Sequence, residues 1–481
     1  MEWNERNLTM MTDLYQLTML YGYYKEGMED KESVFDLFFR KNTNESAYAI
    51  FAGLEQVVDY LEKLHFSEDD IAYLRSLHLF DEGFFDLLRS IRFTGDLYSM
   101  PEGSVLFPSA PLIPVRAPIG QAPLIETALL NSGNHQTLIA TKASRVGHAA
   151  GNGEVLEFGL RRAQGPDAGI YGARAAVIGG CTSTSNVLAA QLFGVPARGT
   201  HAHSWVMSFS DEISPFRAYA RHFPDNCLLL VDTYDTLNSG VPNAITVFEE
   251  LAQNGHRPLG IRLDSGDLAY LSKRARTMLN DAGFVDAKIY ASNDLDEVLI
   301  RDLKAQGACI DVWGVGTRLS TGGSTPALGG VYKLSAEDVD GELAPRMKVS
   351  NTPEKTTNPG YKKVLRFYDR ESNKAIADLI ALEGETFDEG QPLRIYHPEA
   401  PWMNKVIQNF RIRELLIPIY QKGKRVYDLP SVLDIQTYSK QELSTFWEEY
   451  KRDLNPSVYK VDLSDQLYDL KQGLLHQFGR L

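Results

Sequence analysis

Gly199-Thr200-His201-Ala202-His203-Ser204 is the stretch that decides how this chain is read. It follows an apolar run (Phe193, Val195, Pro196, Ala197) that reads as a β-strand, and it falls where that strand ends. Histidine changes charge near neutral pH and can act as a nucleophile. Two later strand-like segments end in acidic loops, Val231-Asp232-Thr233-Tyr234-Asp235 and Arg262-Leu263-Asp264-Ser265-Gly266-Asp267. A fourth, Gly314-Val315-Gly316-Thr317, runs into Gly322-Gly323-Ser324. Polar groups at successive strand ends are how α/β barrels build active sites.

Around these loops, from about 121 to 330, the pattern is strand, loop, helix, repeated. Strands are expected at Glu154–Leu160, Pro196–Thr200, Cys227–Asp232, Pro258–Leu263, Lys288–Ala291 and Ile310–Val315. Helices are expected at Ser183–Phe193, Pro215–His222, Asn243–Asn254, Leu268–Ala282 and Leu295–Gln306. Such alternation indicates a parallel sheet, and six or seven units favour a closed or nearly closed barrel. Upstream, Ser33–Phe39 alternates as a strand, Phe51–Leu64 has helical periodicity, and Ser67 with Asp70 opens a helix as a capping-box variant. Downstream, strands at Val331–Leu334, Ala344–Val349 and Lys363–Tyr368 are suited to completing the N-terminal sheet. The tail carries amphipathic helices around Lys440–Asp453 and Leu463–Phe478.

The bulk numbers restrict the partners. A chain of 481 residues exceeds one typical core. Its formal net charge of -14 argues against nucleic acid or an anionic membrane as partner, but not against a small anion that feels local charge. No apolar run is long enough to span a membrane, and no basic-then-apolar leader opens the sequence. Cys181, Cys227 and Cys309 form no CxxC pair and fit a reducing cytoplasm.

Each motif has a plainer reading beside the chemical one. His201 and His203 sit two apart, the spacing of an HxH metal pair on a strand. The downstream histidines fall in expected helices, helix ends or the tail rather than at later strand ends, so a positioned catalytic His203 with Asp232 and Asp264 is the better reading. Arg262 and Asp264 form either an ion pair that holds the loop or a grip on a carboxylate, with Asp264 serving the histidine or a ribose hydroxyl. Phe158-Gly159-Leu160-Arg161-Arg162 offers core and a solvated edge, or a stacking ring and a phosphate clamp. Gly314–Ser324 is a flexible loop or a phosphate cradle. Lys348, Lys355, Lys362 and Lys363 read by default as a solvated face.

Taken in order along nearly the whole chain, these segments resemble nicotinate phosphoribosyltransferases. The resemblance opens with Met11-Thr12-Asp13-Leu14-Tyr15-Gln16-Leu17-Thr18-Met19. It continues through Glu157–Pro166, Gly199–Ser204, Arg262–Asp267, Gly314–Thr317 and Lys355-Thr356-Thr357-Asn358-Pro359-Gly360. It implies an α/β protein: an incomplete (β/α) barrel of TIM type at 121–330, a split α+β N-terminal domain at 1–120 completed by 331–400, and a C-terminal extension at 401–481. It implies an ATP-coupled, ligase-type reaction of pyridine nucleotide (NAD) salvage. Nicotinate and phosphoribosyl pyrophosphate give nicotinate mononucleotide and pyrophosphate, with a phosphohistidine at His203 and with Mg²⁺.

The resemblance also assigns roles. Asp232 orients His203, and Asp264 contacts the ribose or the phosphohistidine. Tyr15 reaches into the partner's site of a cytoplasmic homodimer, and the partner also receives the basic 348–363 stretch. Phe158 and Tyr15 stack on nicotinate and Arg262 binds its carboxylate. Arg161, Thr200, Thr317, Gly322 and Gly323 serve the remaining substrate groups, and no protein metal ligand is expected. Ser183 stands where related nicotinamide enzymes carry an aspartate; its plainer role is a helix cap. A silent nucleotide-binding sensor is disfavoured because His203, Asp232, Asp264 and Arg262 are all present. Leu130–Gln136 departs from the family's more apolar pattern, and its Ser132-Gly133 pair weakens helix propensity.

Overall fold

The structure is a computed structural model that describes residues 5–42, 46–352, 355–398, 400 and 402–479. The chain divides into two compact units. The first is built from the described residues of 1–138, 327–430 and 437–481, the second from 139–326 and 431–436.

A seven-stranded antiparallel sheet organises the first unit. Its order is Glu342–Pro345, Gly330–Val339, Glu32–Phe39, Ile113–Pro118, Asp96–Ser99, Ile417–Gln421 and Lys424–Arg425. Glu32–Phe39 is central and buried along most of its length, as expected of a strand covered on both faces. Its Phe35 stacks on Tyr332 of the returning strand, with centroids 5.0 Å apart. That return leads into a hairpin whose turn, Asp340-Gly341, has positive φ at both positions (56° and 91°), the twist that hairpins favour. The first two of the expected completing strands lie in this sheet, the second of them shifted to Glu342–Pro345. Lys362–Asp369 instead lies in a four-stranded sheet with Phe410–Glu414, Ala375–Leu382 and Val461–Leu463. The Ser67–Asp70 capping box is formed in full. The helix Glu126–Ala150 runs unbroken through Ser132-Gly133. Gln136 and Thr137 donate to Gln56 Oε1 (2.6 Å) and Ala52 O (3.2 Å), tertiary bonds that offset the weak local propensity.

The second unit carries a six-stranded parallel sheet. Its order is Ser183–Thr184, Glu154–Glu157, Val312–Val315, Lys288–Ala291, Gly260–Leu263 and Leu228–Leu230. Successive strands in the chain advance in one direction, and the last pairs with the first, Val312 with Glu154. Among the described residues no ladder joins Leu228–Leu230 to Ser183–Thr184, so the sheet is not closed. The expected strand at Pro196–Thr200 belongs in that seam, but it is reduced to one bridge, Thr184 to Ala197. Pro196 has no N–H to give a ladder, which accounts for the shortfall. The expected helix from Ser183 also begins later. Ser183 and Thr184 are a strand, and Asn186 caps the helix Val187–Phe193 by accepting from Ala189 N–H. No described helix is long and apolar enough to cross a membrane.

Side chains span the seam instead of a ladder. Thr200 Oγ1 donates to Leu228 O at 2.8 Å, and His201 Nε2 accepts the Leu230 N–H at 3.2 Å. Burial lowers the His201 pKa from 6.5 to about 4. The unfolded chain therefore takes up a proton between these values that the folded chain does not, and stability falls as pH drops through that window. The expected loss is about 3 kcal/mol from this one group. His201→Gln keeps an acceptor without the titration, so thermal melts of the variant should lose stability less steeply from pH 6.5 to 4. Parallel melting curves would remove His201 from the seam's pH response.

Candidate functional site

The strand ends of the parallel sheet surround a cavity of about 510 Å³. Phe158, Arg161, Thr200, His203, Arg262, Asp264 and Thr317 all line it. The first unit holds a larger cavity, about 590 Å³, lined by Arg40, Lys333, Lys362 and Asp462 among others, but none of the strand-end residues reaches it. Lys362 there is no solvated face: it is buried and bridged to Asp36 at 2.8 Å.

His203 opens the short helix His203–Met207 and is 37% exposed. Its Nε2 faces Asp232 Oδ1 at 3.2 Å. Asp232 is 1% exposed. An ionised carboxylate only accepts, so the ring proton lies on Nε2 and the lone pair on Nδ1. The second Asp232 oxygen accepts from the Asp264 N–H at 2.7 Å and the Ser265 hydroxyl at 2.6 Å. Both neighbours come from the loop after Gly260–Leu263. The two histidines of the HxH spacing do not converge, since His201 is turned to the Leu230 N–H. Among the described residues no cluster of three or more His, Cys, Asp or Glu is placed to hold a metal.

Arg262 and Asp264 do form an ion pair, 3.0 Å from Nη2 to Oδ1, and both also line the cavity. Ser292 completes the unit: it accepts from Arg262 Nε at 2.9 Å and donates to Asp264 Oδ1. The guanidinium lies 5.6 Å from the centroid of the Phe158 ring. Gly314 makes room for that ring, because a Cβ there would stand 2.8 Å from it.

Other candidates fall elsewhere. Arg161 sits on the exposed turn Leu160–Arg162 at the rim. The Thr200 hydroxyl is bonded to Leu228 O. Gly322 and Gly323 form a left-handed turn (φ 72° and 71°) beyond the helix Thr317–Ser320 and do not line the cavity. Tyr15 lies in the first unit on the opening helix Leu14–Lys25, half exposed, and is not among the lining residues. Ser183 caps no helix. It is 2% exposed, and its hydroxyl has no partner among the described residues. Thr184 turns toward Glu157, so its neighbour Ser183 faces the opposite side of the sheet.

Four lining residues escape a reading of the sequence: Ser185, Ser292, Asn293 and Asp294. The last three close the strand Lys288–Ala291, and Asn293 and Asp294 have positive φ (96° and 42°), a conformation that clusters at functional loops. The strand-end rule that selects Asp232 and Asp264 applies equally to them.

Comparisons with known proteins follow the same line. Models of the nicotinate phosphoribosyltransferase (NAPRTase) N-terminal domain, family and C-terminal domain match residues 10–134, 154–369 and 361–471. A nicotinate phosphoribosyltransferase of Bacillus subtilis (strain 168) is 48% identical over 471 residues, which cover 98% of this chain and 96% of that protein. One from Homo sapiens is 34% identical over 523 residues, covering 97% and 96%. The crystal structure of human nicotinic acid phosphoribosyltransferase matches with a TM-score of 0.85 and 32% identity, covering 96% of this chain and 99% of that one. This chain belongs to the nicotinate phosphoribosyltransferase family.

Proposed function

We propose that the protein transfers a phosphoribosyl group from phosphoribosyl pyrophosphate to nicotinate, a salvage step of NAD biosynthesis, coupled to ATP hydrolysis through a phosphohistidine at His203. The observation that carries this reading is one cavity holding an aromatic ring, a guanidinium beside it and a histidine backed by a buried carboxylate. We further take the parallel sheet as an incomplete (β/α) barrel, and the enzyme as a cytoplasmic homodimer in which Tyr15 and the 348–363 stretch, apart from the buried Lys362, serve the partner's site.

Nicotinate is flat and anionic. Its ring stacks on Phe158, and its carboxylate meets the Arg262 donors left over from Asp264 and Ser292. A buried Ser183 hydroxyl without a protein partner suits a carboxylate, to which it donates. The nicotinate nitrogen attacks the anomeric carbon as the bond to pyrophosphate breaks. The transition state is oxocarbenium-like and is helped by positioning and by charge on the leaving diphosphate rather than by a strong base. Arg161 and Arg162 at the rim provide that charge.

In the coupled half-reaction, the His203 Nδ1 lone pair attacks the terminal phosphorus of ATP and the bond to ADP breaks. Asp232 accepts the Nε2–H and stabilises the ring as it gains positive charge. Water later releases phosphate. Asp264 and Asp294 give the cavity hard oxygen donors of the kind Mg²⁺ takes together with phosphate oxygens. When bound, Mg²⁺ neutralises diphosphate charge.

Incubation with Mg·ATP should add one acid-labile phosphoryl group to the wild type and none to His203→Ala, read by intact mass before and after acid. Labelling of both proteins, or of neither while both are folded, counts against the phosphohistidine. Ser183→Asp sets a second carboxylate beside that of nicotinate. Like charges at contact cost enough to lower kcat/KM for nicotinate at least about tenfold. Unchanged kcat/KM would show that Ser183 does not face the ligand.

A further inference from the structure

Glu157 precedes Phe158 and is 4% exposed. Its surroundings are mainly apolar, including Ile139, Ala168, Ala173 and Leu319, and burial raises its carboxyl pKa. No cation pairs with it among the described residues. Its two oxygens instead take one donor from each of two strand ends. One accepts the Gly159 N–H; the other accepts the Thr184 hydroxyl at 2.5 Å. The Thr184 oxygen in turn accepts the Asn186 N–H at 2.9 Å, and Asn186 donates to Gly169 O at 3.1 Å. The turn is tight: a Cβ on Gly159 would stand 2.5 Å from Ser320 Cβ and 3.0 Å from a Glu157 oxygen.

Neighbouring side chains on a strand point to opposite faces, so Glu157 acts from behind the Phe158 ring. A carboxyl this deeply buried is costly unless its acceptors are filled. Filling them fixes where the chain turns after Phe158, and with it where the ring meets Arg262. We propose that Glu157 is a positioning residue for nicotinate: by tying Gly159 to Thr184 it holds Phe158 in its stacking place without touching the ligand. The proposal rests on the reading of this cavity as the nicotinate site.

Steady-state kinetics on full-length wild type, Glu157→Gln, Thr184→Val and Thr184→Ser test it. Gln keeps the shape but replaces one acceptor with a donor. A hydrogen bond to a charged group is worth enough that nicotinate KM should rise about tenfold in Glu157→Gln, with kcat and the KM for the phosphoribosyl donor within about twofold. Thr184→Val should raise nicotinate KM in the same direction, and Thr184→Ser, which restores the hydroxyl, should return it to the wild-type value. If Glu157→Gln does not fold, the Thr184 pair decides alone. A wild type that does not turn nicotinate over overturns the functional reading. An active wild type whose nicotinate KM is unmoved in the folded variants, or a loss confined to kcat, overturns the role of Glu157.

Discussion

A carboxylate buried at the end of Leu228–Leu230 is the constraint on which this site depends. Asp232 is 1% exposed, and a buried carboxylate left unsatisfied costs several kcal/mol. Its partners are His203 on one oxygen and the Asp264 N–H and Ser265 hydroxyl on the other. These lie on two loops well separated in sequence. Satisfying one group therefore draws both loops to the same strand end. The tautomer of His203 follows as well: the nitrogen that meets Asp232 carries the proton, and the other keeps its lone pair.

Much of this arrangement is legible in the sequence, for a physical reason. Asp232 and Asp264 each follow a short apolar run, with Arg262 inside one and His203 shortly beyond another, and polar residues at such places have little packing role to explain them. Lys288–Ala291 is read residue for residue because the turn-forming stretch before it and Ser292-Asn293-Asp294 after it bound the run. What escapes is chemistry that carries no spacing. Ser265 and Ser292 are ordinary loop serines until the fold sets them beside Asp232 and Arg262. Ser183 and Asn186 are both good helix caps in isolation, and only the pairing of Leu156 with Ser183 makes the former a strand residue. Lys362 looks like one of a solvated group because its partner, Asp36, is remote in sequence.

The seam of the parallel sheet shows a local rule overridden and then compensated. Pro196 prevents a full strand, so the loop that follows stays irregular. Thr200 and His201 then supply with side chains the bonds that a ladder would have supplied. An irregular segment fixed in this way carries His203 next to Asp232. A regular strand would have alternated its residues between two faces at fixed spacing.

On the proposed reading, the ion pair of Arg262 and its grip on a ligand support each other. A guanidinium has five N–H donors in one plane. Asp264 and Ser292 engage two of its nitrogens, Nη2 and Nε, and the Phe158 ring stands beside it. The remaining donors are thereby held in a fixed direction at the cavity wall. An anion arriving there does not have to order a long, flexible side chain, a cost of roughly 0.5–1.5 kcal/mol for each side chain immobilised. Neither does the chain's net charge of -14 forbid an anion, because ions screen charges more than about 8 Å away at physiological salt. On the proposed reading, what the ligand meets is Arg161, Arg162 and Arg262 on the lining itself. On that reading, the pair that looks merely structural prepares the group that binds.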